Sequence, residues 1–93
     1  MRLDIFLWYA RLAKTRSVAQ GLAVTGRLRI DGRLIERAHA PVRVGNVLTF
    51  AHAGQVRAVR VEALPPRRGP APEAQACYTD VTVANVSQQT PAD

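Results

Sequence analysis

The sequence predicts an α+β fold, in which two short amphipathic helices are followed by a small antiparallel or mixed β-sheet and a short C-terminal extension. Apolar residues recur at helical spacing up to about residue 25, and the period changes to two from residue 27 onward. Pairs of turn-forming residues then divide the β region into short segments. A chain of 93 residues is long enough for one domain with one modest core.

The first helix is predicted from an apolar stripe at its start. Leu3, Phe6, Leu7 and Ala10 have the i, i+3, i+4, i+7 spacing of a buried helix face. Trp8 lies one position past this stripe. We therefore expect its ring to cover the edge of the core, although an exposed tryptophan can also stack on a nucleic-acid base.

Short hydroxyl side chains precede the second helix. Thr15 and Ser17 are candidate N-caps, and Gln20, three residues after Ser17, completes a capping-box pattern. Gly26 is expected to stop the helix in a left-handed conformation, so that the helix ends near Thr25. The predicted buried residues of this helix are Val18, Ala19 and Leu22.

Three or four strands are predicted from residues that alternate with a period of two. Leu28 and Ile30 alternate with Arg27 and Arg29, so that one face should be apolar and the other basic. Asp31-Gly32 is a favoured pair for a tight hairpin turn. The later turns are predicted at Gly45-Asn46 and Ala53-Gly54, and the other apolar strand residues at Leu34, Val42, Val44, Val47, Leu48, Val56, Val59 and Val61.

Proline residues divide the C-terminal third of the chain. Pro65-Pro66 should close a domain over residues 1–64, and residues 65–83 should form an extension packed on or near the sheet. Within it, Glu73–Tyr78 is expected to form one or two helical turns, with Tyr78 docked on the sheet. Residues 84–93 are polar and weakly patterned, which predicts a disordered tail.

Basic residues are concentrated in the N-terminal two-thirds of the chain. Thirteen basic and seven acidic residues give a net charge of +6, and twelve of the thirteen basic residues are arginine. Residues 1–60 carry a formal charge of +8, and residues 61–93 carry −2. Arginine suits bidentate phosphate contacts and base stacking, so the pattern favours a polyanionic partner. Charge alone would be explained equally well by a surface that keeps the protein in solution.

The basic side chains are expected to form one contiguous patch if the helices pack as a hairpin on the strands. Those at the corner between the helices should hold phosphates, aided by the free N–H groups and hydroxyl caps at the start of the second helix. Those on the strands should follow the nucleic-acid backbone. The predicted RNA-binding residues are Arg11, Lys14, Thr15, Arg16 and Ser17 at the corner, Arg27, Arg29 and Arg33 on the strands, and Arg2 at the edge.

Several short motifs in the N-terminal half of the chain carry a family resemblance, namely Arg2-Leu3-Asp4, Lys14-Thr15-Arg16-Ser17, Ala19, Gly26, Asp31-Gly32 and Val44-Gly45. Over residues 2–50 they resemble the ribosomal-protein S4 type of RNA-binding domain. The run 67–74 and Tyr78 further resemble the C-terminal extension of the bacterial fifteen-kilodalton heat-shock protein family. The resemblance implies the alpha-L motif, two helices packed on a small antiparallel sheet, with RNA on the helical hairpin and on the turn after it.

The resemblance also implies a partner and a role. The partner is the free large ribosomal subunit that carries a nascent chain attached to transfer RNA, and the role is ribosome rescue or recycling under stress. Three residues depart from the family pattern: Ile5 replaces a basic residue, Asp31 an asparagine, and Asn46 an aspartate. The first two departures subtract positive charge, so weaker RNA binding than is usual for the family is expected.

No catalytic residue, metal site or cofactor is predicted, and the protein is expected not to be an enzyme. His39, His52 and Cys77 are spaced too widely for a compact metal motif. S4 domains also occur beside the catalytic domains of pseudouridine synthases and tyrosyl-transfer-RNA synthetases, but these 93 residues show no such domain. A basic module that binds DNA or anionic membranes stays open as an alternative.

The sequence also predicts where the protein works and in what form. Cys77 is the only cysteine, so no intramolecular disulfide is expected. The apolar stretch Ile5–Ala10 is too short for a signal sequence or a membrane span. We therefore expect a cytoplasmic monomer that binds ribosomal RNA, with transfer RNA as a second candidate partner and with no small-molecule substrate.

Overall fold

The computed structural model describes residues 1–25 and 27–82, which contain three helices and five strands. The strands form one sheet in the order β2-β1-β3-β4-β5, and every neighbouring pair is antiparallel. The predicted α+β class is confirmed. Gly26 and the tail at 84–93, for which predictions were made, lie outside the described residues. The elements are α1 (Leu3–Tyr9), α2 (Arg16–Val24), β1 (Leu28–Ile30), β2 (Arg33–Ile35), β3 (Val47–His52), β4 (Gln55–Val61), α3 (Ala71–Gln75) and β5 (Tyr78–Asp80).

Helix α1 buries the stripe that its sequence predicts. Leu3, Phe6, Leu7 and Ala10 have no exposed surface. They join a single core that the two N-terminal helices share with the sheet, because hydrophobic burial is the main favourable term in folding. The sheet contributes Leu28, Ile30, Leu48, Phe50, Val59 and Val61 to this core.

Helix α2 begins two residues earlier than the capping-box pattern suggests. Thr15 is the N-cap, and its Oγ1 accepts a hydrogen bond from the Val18 backbone N–H at 3.1 Å. Ser17 therefore lies in the first turn of the helix, and its prediction as a cap of a box with Gln20 is wrong. The C-terminal end is as expected, because Thr25 is the C-cap.

The buried face of α2 consists of small residues. Ala19 and Ala23 are fully buried, whereas Val18 and Leu22 are only partly buried and pack at the edge of the core. The predicted face is therefore correct in direction but shifted toward the alanines. Alanine lets two helices approach closely, since the spacing of packed helices depends on the side chains at the contact.

A two-residue turn joins β1 to β2 and fixes their register. Asp31 and Gly32 have φ values of 52° and 83°, the two positive φ angles of a type I′ hairpin turn. Ile30 thereby pairs with Arg33, and Leu28 pairs with Ile35. Paired residues share a face of the sheet, so Arg33 lies on the side of the buried Ile30.

This register corrects two expectations about the second strand. Leu34 pairs with Arg29 on the outer face and is 44% exposed, so it does not continue the apolar face. Ile35 takes that place and packs against the core. Arg33 and Arg29 consequently lie on opposite faces of the hairpin, because successive strand residues point to opposite sides.

Asp31 and Asn46, which both depart from the S4 pattern, contact each other. The Asn46 Nδ2 donates to Asp31 Oδ2 at 2.8 Å, and the Val47 backbone N–H donates to Asp31 Oδ1 at 2.8 Å. Aspartate and asparagine have exchanged places, so the pair keeps the charge that the family pattern gives it. Asp31 was expected to lower the positive charge of this face. Because Asn46 stands where the family pattern has an aspartate, the net charge of the two positions together is unchanged.

Asn46→Asp is expected to lower the free energy of unfolding by about 1–2 kcal/mol, because two carboxylates would then face each other across a former hydrogen bond. Adding Asp31→Asn should restore most of the loss, since the hydrogen bond would reform with its roles reversed. Urea denaturation at neutral pH measures both effects, and Asp31→Asn alone is the matched control. If the double variant is no more stable than Asn46→Asp, aspartate and asparagine are not interchangeable at positions 31 and 46.

The C-terminal extension adds a fifth strand to the sheet. Tyr78 pairs with Val61, so that β5 lies against the edge of β4, and the Tyr78 side chain packs on the core. The helix expected over Glu73–Tyr78 lies instead at Ala71–Gln75 and stops before Tyr78. The domain boundaries at 64 and 83 stay predictions. In the part of the chain that the structure describes, no helix is long and apolar enough to cross a bilayer.

Candidate nucleic-acid interface

The turn between α1 and α2, residues 10–15, forms a compact helical corner with Trp8 and Arg16 of the flanking helices. The backbone N–H groups of Leu12 and Ala13 both donate to the carbonyl of Leu7, and these two residues are buried. Arg11 has a left-handed φ of 60°. This geometry directs the apolar side chains inward and leaves Arg11 and Lys14 exposed.

Trp8 connects two arginines at this corner. The guanidinium carbons of Arg16 and Arg68 lie 5.4 Å and 5.5 Å from the centre of its ring. Both distances fall within the range of a cation–π interaction. Trp8 is half-buried against the core, as its position predicts, and its ring also contacts the guanidinium groups of Arg16 and Arg68.

Arg68 reaches the corner from the C-terminal extension. Its Nε donates to the Trp8 carbonyl at 3.1 Å, and its Nη2 donates to the Lys14 carbonyl at 3.3 Å. In return, the Arg11 Nε donates to the carbonyl of Gly69 at 2.6 Å. The extension and the helical corner therefore hold each other in place through three hydrogen bonds.

Gly69 leaves room for the Glu73 carboxylate beside the chain of the extension. It is buried, and a Cβ at this position would lie 2.6 Å from the Glu73 carboxylate. Arg67 holds that carboxylate through Nη2 at 2.8 Å and 3.0 Å. A side chain at position 69 would therefore require the Glu73 carboxylate to move.

The start of α2 presents backbone donors to solvent beside these cations. The N–H groups of Arg16 and Ser17 have no acceptor within the described residues, and both residues are exposed. Thr15 is also exposed, with its hydroxyl oxygen engaged as the cap. Free N–H groups and the positive end of a helix dipole favour an anion at this place.

The three predicted arginines that follow α2, Arg27, Arg29 and Arg33, lie beyond the end of this helix that is far from the corner. Helix α2 has nine residues, so at about 1.5 Å per residue it separates its two ends by about 13 Å. Arg29 donates from Nη1 to the Gly32 carbonyl at 3.2 Å on the outer face. Arg33 lies on the inner face, and Arg27 lines a shallow groove beside the end of α2. The predicted basic residues thus comprise a corner group, Arg11, Lys14 and Arg16, and a hairpin group, Arg27, Arg29 and Arg33.

Arg2 is engaged in an internal ion pair. Its Nε and Nη2 donate to the two oxygens of the Asp4 carboxylate at 3.1 Å and 2.8 Å. Asp4 is only 2% exposed, and a buried carboxylate needs such a partner. Arg2 therefore balances a buried charge at the start of α1, and its own side chain stays half exposed.

Comparison with known proteins places this site in a family. Residues 1–48 match the model of the S4 domain. The chain belongs to the S4 domain family. This match includes the helical corner and the β1–β2 hairpin, and S4 domains are RNA-binding domains, as the sequence motifs imply. The extension that carries Arg68 follows the matched region.

The similarity to individual proteins extends past the S4 domain. The chain is 32% identical over 80 residues to a heat shock protein 15 homolog of Haemophilus influenzae, covering 86% of this chain and 60% of that protein. Heat shock protein 15 of Escherichia coli K12 gives the same identity and covers 59% of the relative. The chain thus spans about 60% of the length of these relatives.

A solved structure supports the fold over almost the whole chain. The trimeric structure of Vibrio cholerae heat shock protein 15 matches with a TM-score of 0.82 and 29% identity, covering 96% of this chain and 88% of that one. The S4 fold and its similarity to heat shock protein 15 are therefore confirmed. Arg68 and Gly69 are the residues of the corner that sequence reasoning missed, although the Arg67–Ala74 motif contains them.

Cys77 has the surroundings of a structural thiol. Burial raises its pKa, and the negative charge of Glu73 raises it further. A reactive cysteine requires the opposite shift, because the thiolate is the nucleophile and the metal ligand. Over residues 1–25 and 27–82, no group of three or more His, Cys, Asp or Glu side chains is arranged to hold a metal ion.

Proposed function

We propose that this protein is a non-enzymatic RNA-binding protein that holds structured ribosomal RNA at its helical corner. The observation that carries this proposal is the gathering of four cations around one helix start. Arg11, Lys14 and Arg16 lie at the corner between α1 and α2, and Arg68 joins them from the extension. Membership of the S4 family supports RNA as the polyanion.

The corner can bind phosphates in two ways. Lys14 and Arg16 are exposed, with no salt bridge to any described residue, and they supply charge-assisted hydrogen bonds. The N–H groups at the start of α2 supply neutral donors directed at the same place. Stacking on Trp8 limits the rotamers of Arg16, which lowers the entropy lost when the arginine binds a phosphate.

The hairpin group has a secondary part in this proposal. Arg27 and Arg29 are exposed on the chain that leaves α2, and they extend the positive potential beyond the corner. Arg33 faces the other side of the hairpin and contacts a different part of the RNA. Thr15 and Ser17 shape the helix start, and Arg2 supports the edge through Asp4.

Similarity to heat shock protein 15 supports a more specific partner. We propose the free large ribosomal subunit carrying a nascent chain on transfer RNA, with rescue or recycling under stress as the role. The proposal includes a cytoplasmic location and a monomer as the binding form. Because the Vibrio relative is trimeric, analytical ultracentrifugation of the free protein tests the monomer directly.

Co-sedimentation with purified ribosomal particles tests the proposed partner. We expect the protein to pellet with large subunits carrying peptidyl transfer RNA in preference to vacant large subunits, small subunits or intact ribosomes. A preference for small subunits would overturn the subunit assignment. Duplex DNA that competes as well as structured ribosomal RNA would indicate a general basic nucleic-acid module instead.

A further inference from the structure

An open cleft of about 430 Å³ lies beside the β1–β2 hairpin, apart from the helical corner. Its most buried lining residues, Ile30 and Ala40, are apolar, and Ile35 and Pro41 extend this apolar lining. Three arginines also line the cleft and are exposed to solvent, namely Arg33, Arg37 and Arg43. The cleft thus combines an apolar base with a strongly positive rim.

The walls of this cleft are held by backbone hydrogen bonds. The N–H groups of Leu3 and Asp4 donate to the carbonyls of Ala40 and Ala38, and the Val42 N–H donates to the Met1 carbonyl. These bonds fix the segment after β2 to the start of α1. A pre-formed wall loses little conformational entropy when a ligand binds.

The register of the β1–β2 hairpin and two hydrogen bonds place the arginines of the rim. The hairpin register puts Arg33 on the side of Ile30, which is the side of the cleft. Arg43 is fixed through its backbone N–H, which donates to the Asn46 Oδ1 at 2.8 Å. Arg37 begins a turn in which its carbonyl accepts from the Ala40 N–H at 3.2 Å.

The positive charge of the rim is not neutralised by the described residues. None of the four ion pairs formed among them includes Arg33, Arg37 or Arg43. Asp31 is the one carboxylate in the lining, so one negative charge faces three arginines, and both of its oxygens already accept hydrogen bonds from Asn46 and Val47. Neighbouring Glu36 is exposed and does not line the cleft.

We infer that this cleft is a second RNA contact, which takes a nucleotide of a single-stranded segment with its base on the apolar lining and its phosphates on the arginines. The inference rests on the proposed RNA-binding function and extends it from structured to single-stranded RNA. A volume of about 430 Å³ is within the roughly 300–1,000 Å³ of sites for small ligands. Guanidinium groups pair bidentately with carboxylate and phosphate alike, but they also stack on bases, which favours a nucleotide over an acidic peptide.

Binding of fluorescein-labelled hexa-adenylate RNA, measured by anisotropy, tests the inference. Arg37→Ala combined with Arg43→Ala should weaken this binding about tenfold and reduce the slope of log affinity against log salt by about 1.4, at about 0.7 per single-strand phosphate contact. Arg57→Gln with Arg60→Gln removes the same charge from β4 and is the matched control. It should change the affinity less than threefold.

Chemical-shift changes of backbone amides in a ¹H–¹⁵N NMR titration locate the ligand. Adenosine monophosphate should shift the amide signals of Ile30, Ile35 and Arg43 more than inorganic phosphate or adenosine does. Equal weakening by the two double variants, or equal competition by hexaglutamate, would overturn the inference. If structured ribosomal RNA still binds in that case, the proposed function survives. A wild-type protein that binds neither RNA would contradict the inference and the proposed function together.

Discussion

Replacing Lys14 and Arg16 together with alanine is expected to weaken binding of structured ribosomal RNA about a hundredfold. A hydrogen bond to a charged partner contributes about 1.5–3 kcal/mol, so two lost contacts amount to about 3 kcal/mol or more, and 1.4 kcal/mol corresponds to a factor of ten. The slope of log affinity against log salt should fall by about 1.8, at about 0.9 per duplex phosphate contact. Filter binding over a potassium chloride series measures both quantities.

The control for this prediction removes the same charge elsewhere. Arg57→Gln with Arg60→Gln acts on β4, where the two arginines pair with Asp80 and Glu62. RNA affinity should then fall less than threefold. If both double variants lose the same affinity, net charge rather than the helical corner determines binding. Thermal unfolding should change little on replacing Lys14 and Arg16, because both side chains are exposed.

Phe6→Ala is expected to lower the free energy of unfolding by about 3–5 kcal/mol, because truncation of a buried aromatic side chain leaves a cavity. Phe6 has no exposed surface and lies in the core shared by the two N-terminal helices and the sheet. Small domains have a total stability of about 5–15 kcal/mol, so this single change removes a large part of it. Urea denaturation followed by circular dichroism measures the loss.

Val24→Ala provides the matched control for the core prediction. Val24 is on the neighbouring helix and is 50% exposed, so its truncation should change stability by no more than about 0.5 kcal/mol. A loss below about 1 kcal/mol for Phe6→Ala would show that the face of α1 is assigned incorrectly.

Local patterns were sufficient to predict the elements whose stability depends on near neighbours. The stripe of α1, the end of α2 at Thr25 and the Asp31-Gly32 turn follow from spacing and from the backbone preferences of single residues. The same patterns were misleading where the register of two strands determines which side chains face the core. Leu34 reads as apolar strand sequence, but the two-residue turn directs Ile35 to the core.

Elements that depend on distant partners could not be predicted from the sequence. Strand β5 has three residues and is defined by its pairing with β4 rather than by alternation. Arg68 follows Trp8 by sixty residues, and nothing in the local pattern connects them. The contact between Asp31 and Asn46 joins two different turns, so no local pattern predicts it. The corner itself was predictable because Lys14, Thr15 and Arg16 are consecutive.

The bonds between the extension and the helical corner have a consequence for the order of synthesis. A ribosome makes the chain from its N-terminus, so Arg11 and Trp8 emerge long before Arg68 and Gly69. Until Arg68 leaves the exit tunnel, the corner lacks one of its four cations. If the corner binds RNA as proposed, a partly made copy therefore presents three of the four cations, and the fourth joins them once the extension is released.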